Sequence, residues 1–246
     1  MLNFANDDFM DCGTDQTGTG HTGPCRPGDS KSRGTEFMVG MMMNNEIFGE
    51  KSKVIAAFKE IHRYLFDCYD DWIKEDHILD AETSYYIAVK MLEKHNIFSV
   101  DEDCLNGFLE SIYEETDRKG IFLSAMINTS YMDRRISICP EGQKISYLGM
   151  NNEGMEIYVW GWLHDFTGMN MKDGSMEITQ GITGTNIGEG MEGGEISISD
   201  AHGYGVNTDT QLSPNIKGGK IYYNDERVWP KKTVWESVKN WFHELW

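Results

Sequence analysis

The chain has no apolar run approaching the roughly 20 residues that a membrane-spanning helix requires, so no transmembrane segment is expected. It is short of positive charge: 22 Lys and Arg stand against 40 Asp and Glu over 246 residues, a formal net charge of −18. That balance repels phosphate backbones and anionic lipid surfaces alike. A general nucleic-acid binder and a membrane-surface protein are therefore excluded. No basic segment leading into an apolar stretch opens the chain, because Asp7, Asp8 and Asp11 interrupt it, and no secretory leader is expected. Cysteine is sparse and odd in number: Cys12, Cys25, Cys68, Cys104 and Cys139 form no CxxC pair and no tight Cys/His spacing. Neither a zinc site nor a disulfide framework follows, and reduced thiols in a cytoplasmic protein are the economical reading. Cys12, His21 and Cys25 are too loosely spaced to count as a metal site. What is present suffices for a core, since 39% of residues are hydrophobic and 12% aromatic.

Residues 1–45 read as a disordered tail. Gly13 to Gly34 is rich in Gly, Thr, Ser, Asp and Pro, with little to bury. Gly34-Thr-Glu-Phe37 before Met38 has the look of a translated cloning linker, which would make residues 1–37 foreign to the native protein. Residues 50–130 read as a helical domain or cap of three helices. Val54, Phe58, Ile61, Leu65, Cys68 and Trp72 recur at steps of four and three, one apolar face of a helix starting near Ser52. His62 lies beside that stripe, at the edge of the core or exposed. Asp80 caps a second helix running to His95, with Ile87, Met91 and Leu92 inward and Asn96 as its stop. Ser99 and Glu102 make a capping box for a third, whose face is Leu105, Phe108, Leu109 and Ile112 and whose end is Lys119-Gly120. Ile121 to Ile127 is apolar throughout and fits a strand or a helical turn.

From Ile136 the period changes from helical to two, as in Ile136-Ser-Ile138, Ile157-Tyr-Val159 and Ile196-Ser-Ile198. The glycines also recur. Gly168-Met-Asn-Met171-Lys-Asp-Gly174 returns as Gly188-Glu-Gly-Met191-Glu-Gly-Gly194, and each is followed by an alternating strand. Ile216-Lys-Gly-Gly219-Lys-Ile221 is a partial third copy after an insertion near 201–213, and a degenerate earlier one surrounds Gly154 to Gly161. Short strands and glycine corners repeating about every 20 residues are the signature of a β-solenoid. The fold class is therefore α+β, with a short solenoid over 136–228. Met171, Met191 and Ile216 are expected to stack inside successive rungs.

With these residues in view, the Gly-x-x-Met-x-x-Gly pattern, clearest in Asn186-Ile-Gly188-Glu-Gly-Met191-Glu-Gly-Gly194-Glu-Ile196, resembles the GXGXG domain. That domain is the right-handed β-helix found at the C-terminus of the large polypeptide of glutamate synthase and in one component of formylmethanofuran dehydrogenase. The preceding helices are similar to small stand-alone prokaryotic proteins carrying this β-helix. In the large enzymes the domain is structural, while flavin, iron–sulfur or molybdopterin chemistry sits elsewhere. The resemblance thus implies a right-handed β-helix and an assembly role, with no cofactor of its own. It covers under half the chain, and this sequence has few rungs and no catalytic domain.

After the last rung, Trp229-Pro230 breaks the strand, and Thr233 with Glu236 opens a final helix over 231–246. Val234, Val238, Trp241 and Leu245 form its stripe, flanked by Trp235, Phe242 and Trp246, an aromatic surface for capping the solenoid or docking a partner. No catalytic motif appears: Asp173-Gly-Ser175-Met-Glu177 lacks the second glycine of a GxSxG elbow, and the glycines of 181–194 precede strands where a phosphate loop needs a helix N-terminus. The remaining polar candidates are His164 with Asp165, and His202 beside Asp200 and Tyr204. Glu156, Glu177, Glu189, Glu192 and Glu195 form an acidic outer face, solubilising first and at most a weak divalent-cation ladder. The favoured function is a non-catalytic scaffold or interaction module with a protein partner or self-association. The alternatives are an accessory subunit of a glutamate synthase-like or formylmethanofuran dehydrogenase-like oxidoreductase, and a small hydrolase using His164/Asp165 or His202.

Overall fold

A computed structural model describes residues 51–76, 80–95, 102–112, 117–129, 134–140, 142–199 and 211–230. The tail at 1–45, the Asn96 stop, Ser99 of the capping box and the Trp-rich segment 231–246 lie outside these residues.

Among the described residues four helices come first, where the sequence predicts three: α1 (Lys51–Glu75), α2 (Ala81–Lys94), α3 (Glu102–Ser111) and α4 (Asp117–Thr129). On α1 the periodic stripe buries Ile61, Leu65 and Cys68, and His62 is fully buried as well, not at the edge of the core. Asp80 caps α2 in extended backbone conformation, its carboxylate accepting from Thr83 N at 3.0 Å. Hydrogen bonding from the Thr83 side chain, and then from its backbone N–H, holds the carboxyl below its ordinary range. Phe66, Tyr69, Phe108 and Phe122 pack ring to ring between α1, α3 and α4, with centroids 5.2–5.7 Å apart for the Phe66–Phe108, Phe66–Phe122, Tyr69–Phe122 and Phe108–Phe122 pairs. Asp70 binds Arg118 and Lys74 at 2.5 Å each, tying α1 to α4.

Lys119-Gly120 does not end the third helix. It sits inside α4, and the Ile121–Ile127 segment is helical, not a strand. Gly120 is there for close approach, because a Cβ on it would lie 1.7 Å from the carbonyl oxygen of Ser146. The helix is buried on every side from Lys119 to Ile127, which removes the periodicity that would have announced it.

The described residues from 135 to 223 wind as a parallel β-solenoid. Strands β1 (Arg135–Ile138), β2 (Glu153–Val159), β3 (Asp173–Ile178), β4 (Glu195–Ile198) and β5 (Lys220–Tyr223) pair in sequence order. The register stacks Ile136, Ile157, Met176, Ile196 and Ile221 as one inward column, and Ile138, Val159, Ile178, Ile198 and Tyr223 as the next. A third column on another face is Ile145, Leu163 and Ile182. β6 (Glu226–Trp229) then runs antiparallel to β5 through a two-residue turn at Asn224-Asp225, both with positive φ.

The corner turn is the same in three rungs. Met150 N donates to Tyr147 O, Met169 N to Phe166 O and Glu189 N to Asn186 O. The earliest copy therefore begins at Tyr147, before the Gly154 to Gly161 stretch that the sequence suggested. Gln211 to Ser213, read from sequence as part of the insertion, already belong to a rung: Ile187 N donates to Gln211 O, and Ser213 N to Ile187 O.

The helical block closes the first rung. The edge of β1 that faces away from β2 has Ser137 N donating to Glu102 Oε2, Ser137 O accepting from Asn106 Nδ2 at 3.1 Å, and Cys139 N donating to Asn106 Oδ1 at 2.8 Å. At the corner, Ser124 Oγ donates to Tyr147 O and Asn128 Nδ2 to Met150 O. Lys119 is buried with its ammonium donating to Leu109 O, Ile112 O and Gln143 Oε1.

Lys119→Met leaves the carbonyls of Leu109 and Ile112 without this donor and is expected to cost about 2–4 kcal/mol in chemical denaturation. Gly142 and Gly174 share φ +82, but a Cβ at Gly174 meets Met155 O at 2.4 Å, whereas at Gly142 it meets nothing. Gly142→Ala is expected to cost about 1–2 kcal/mol from the left-handed backbone alone, and Gly174→Ala clearly more, compared by denaturation midpoints.

Candidate functional site

The repeat residues are structural in position. Gly168 and Gly188 occupy equivalent corners with φ +70 and +71, and Gly174, Gly194 and Gly219 the next equivalent corner. Each opens space for a neighbour: the Met171 methyl lies where a Gly194 Cβ would be, and the Met191 methyl where a Gly219 Cβ would be. Backbone bonds from Glu192 N to Met171 O and from Lys217 N to Met191 O put Met171, Met191 and Ile216 on neighbouring rungs, all three buried. The equivalent residue of the first rung is Asn152, whose buried amide bonds Met155 O, Met155 N and Gly154 N.

Of the polar candidates, the structure brings His164 and Asp165 together. His164 Nδ1 lies 2.9 Å from Asp165 Oδ2. Asp165 Oδ1 accepts from Thr185 N at 2.6 Å and Thr185 Oγ1 at 3.0 Å, and its carbonyl accepts from Tyr147 N. One aspartate thus ties three successive rungs and orients an imidazole. His202, Asp200 and Tyr204 lie outside the described residues, as do Trp235, Trp241, Phe242 and Trp246.

His164 lines a cavity of about 330 Å³ on the face carrying the Ile145–Leu163–Ile182 column. Its other walls are Gly142, Gln143, Lys144, Trp162, Leu163 and Thr183. Lys144 and Thr183 carry no signal as site residues in the sequence, because they fall on the rungs either side of Trp162 and His164 with no shared motif. Beside this region Tyr147 and Phe166 stack, with centroids 4.7 Å apart and planes 7° apart. Burial, then the carboxylates of Asp117 and Asp165, push the Tyr147 phenol up to about 12.

The acidic outer face does not form a carboxylate ladder. Its register runs Arg135, Glu156, Ser175, Glu195, Lys220, so no carboxylate in this column sits directly on another. Arg135 pairs with Glu156 at 3.1 Å, Lys217 with Glu192 at 3.2 Å, and Lys172 with Glu153. Glu177 lies between Tyr158 and Ser197. Glu189 accepts from Ser213 Oγ and Asn215 Nδ2, shaping the corner of the last rung. Among the described residues no group of three or more His, Cys, Asp and Glu is placed to hold a metal ion. Nor is any described helix long and apolar enough to cross a membrane.

No family model matches the chain, and comparison with curated proteins and with solved structures gives no match.

Asp165→Ala strands two Thr185 donors and is expected to cost about 1–3 kcal/mol, whereas Asp165→Asn keeps an acceptor and costs less, both read from denaturant midpoints. Tyr147, neutral in the fold up to about 12 against 10.0 in an open chain, contributes stability that is complete below pH 10 and lost as pH rises through 12. Tyr147→Phe is expected to remove that component from the alkaline unfolding profile.

Proposed function

We propose that the protein is a non-catalytic β-solenoid scaffold that binds another protein through the outer face of its parallel sheet. The observation that carries this reading is the composition of that face. Glu156, Tyr158 and Trp160 alternate outward along β2 and its end, and Trp160 is 60% exposed. Arg135 lies over the Tyr158 ring at 5.0 Å, and Tyr222 stands in the same column three rungs away. Tyrosine, tryptophan and arginine on a flat rigid surface are what protein interfaces concentrate. The polar groups between rungs are spent on holding the rungs together, which suits a scaffold.

A narrower form of this reading makes the chain an accessory subunit of a glutamate synthase-like or formylmethanofuran dehydrogenase-like oxidoreductase. It rests on the Gly-x-x-Met corners. A partner that carries flavin or iron–sulfur absorbance supports it, and a colourless partner counts against it. The hydrolase alternative rests on the His164–Asp165 contact alone.

The test is the double substitution Tyr158→Ser with Trp160→Ser in the full chain. Cross-linking mass spectrometry on the native source identifies what sits on this face, and sedimentation velocity measures association. The variant is expected to keep its circular dichroism and unfolding midpoint while losing at least about tenfold in affinity, as removal of an aromatic anchor does. Unchanged association by the folded variant would falsify the assignment of this face.

A further inference from the structure

The cavity beside His164 differs in charge from the rest of the molecule. The chain carries −18 overall, yet among the described residues that line this cavity none is a carboxylate, while Lys144 and His164 are present. Two carboxylates adjoin lining residues in sequence: Glu141 lies outside the described residues, and Asp165 has both oxygens engaged, Oδ1 on Thr185 and Oδ2 on His164 Nδ1. That contact with Asp165 orients the imidazole, and His164 lines the cavity. Gln143 of the lining is also held, because it donates to Leu109 O and accepts from the buried Lys119 ammonium. Trp162 and the edge of the largely buried Leu163 supply apolar surface, and Thr183, whose hydroxyl donates to Leu163 O at 3.4 Å, an acceptor lone pair, from the second and third rungs.

We propose that this cavity binds a small organic anion, a carboxylate on a planar or apolar body. Lys144 pairs with the anionic group, Trp162 and Leu163 pack against the body, and His164 and Thr183 set its orientation. The volume of about 330 Å³ stands at the lower end of small-molecule sites, roughly 300–1,000 Å³, and suits a single-ring ligand. Walls fixed by Lys119 and Asp165 mean that little ordering is needed on binding. The site is separate from the tyrosine-bearing outer face, so either can stand without the other.

The test uses the full chain and three single-ring probes of similar size: benzoate, benzamide and benzylammonium. Amide chemical shifts are followed by two-dimensional NMR up to tens of millimolar probe. Benzoate is expected to give saturable shifts at 142–146, 162–165 and 183. Benzamide is expected to bind at least about fivefold more weakly, since a charge-assisted contact to lysine is lost, and benzylammonium not to saturate. Lys144→Gln, an exposed position, is expected to weaken benzoate about fivefold while leaving the spectrum otherwise intact. His164→Gln serves as a second variant with the same expected direction. No saturable response to benzoate, equal binding of benzamide, or unaltered affinity in Lys144→Gln overturns the proposal. Saturable binding of inorganic phosphate without benzoate binding overturns the organic ligand class.

Discussion

A parallel solenoid hydrogen-bonds to itself everywhere except at its first and last rungs, and this protein depends on how the first is closed. The peptide groups of Ser137 and Cys139 would otherwise form an open strand edge, a template for pairing with another chain. Glu102 and Asn106 of α3 meet them with side-chain donors and acceptors of the right sense. Ser124 and Asn128 of α4 do the same for the first corner. The helices thus supply, from their sides, the hydrogen bonds that another rung would have given. Lys119 locks the arrangement from within, binding the C-terminal carbonyls of α3 and the Gln143 side chain of the first rung together. Burying an ammonium is costly, but here its donors meet the negative end of a helix.

Inside the solenoid, close packing depends on exchange between neighbouring rungs. An interior side chain fills the space that a glycine of the next or previous rung leaves empty. Met176 occupies it at Gly149, Ile196 at Gly168, Met171 at Gly194 and Met191 at Gly219. The glycines therefore serve two needs at once, a turn with positive φ and a recess for a neighbour's side chain. This coupling explains why Gly and Met recur in one phase. It also explains why the first rung departs from the pattern. Asn152 holds the place of Met and spends its amide on the backbone of its own corner. Terminal repeats commonly differ from internal ones in this way.

Much of this architecture is legible in the sequence, and the failures have physical causes. The period-two strands and recurring glycines point to the solenoid and to the segments that pair, because inward and outward positions must alternate. The Gly-Met-Asn tripeptide at 149–151 repeats at 168–170 and marks the first corner, but Asn152 breaks the methionine phase that makes the later copies conspicuous. Lys119-Gly120 resembles a helix end because glycine is the usual terminator. Here it marks a close helix–rung crossing, which no local pattern discloses. The final hairpin has only the turn residues Asn224-Asp225 to signal it, because Glu226-Arg227 follows them where an apolar alternation would mark a strand. The cavity has no such signal. Its residues come from three rungs and are united only by stacking. Adjacency along the chain singles out His164 and Asp165, with Trp162 two residues before them, and nothing linear joins Lys144 and Thr183 to them.

The reversal at Asn224-Asp225 has a consequence for the molecule as a measured object. Every parallel strand adds one interstrand spacing of about 4.8 Å along the axis. β6, which turns back beside β5, adds one last spacing and ends the run of parallel turns among the described residues, as a stop fixes the length of a ruler. The interior rungs are interchangeable in geometry, while the helical start and the hairpin end are not. The distance between the two ends is therefore set by how many copies of one turn lie between them. Duplication or loss of a unit of about 20 residues would change that distance in discrete steps without redesigning either terminus.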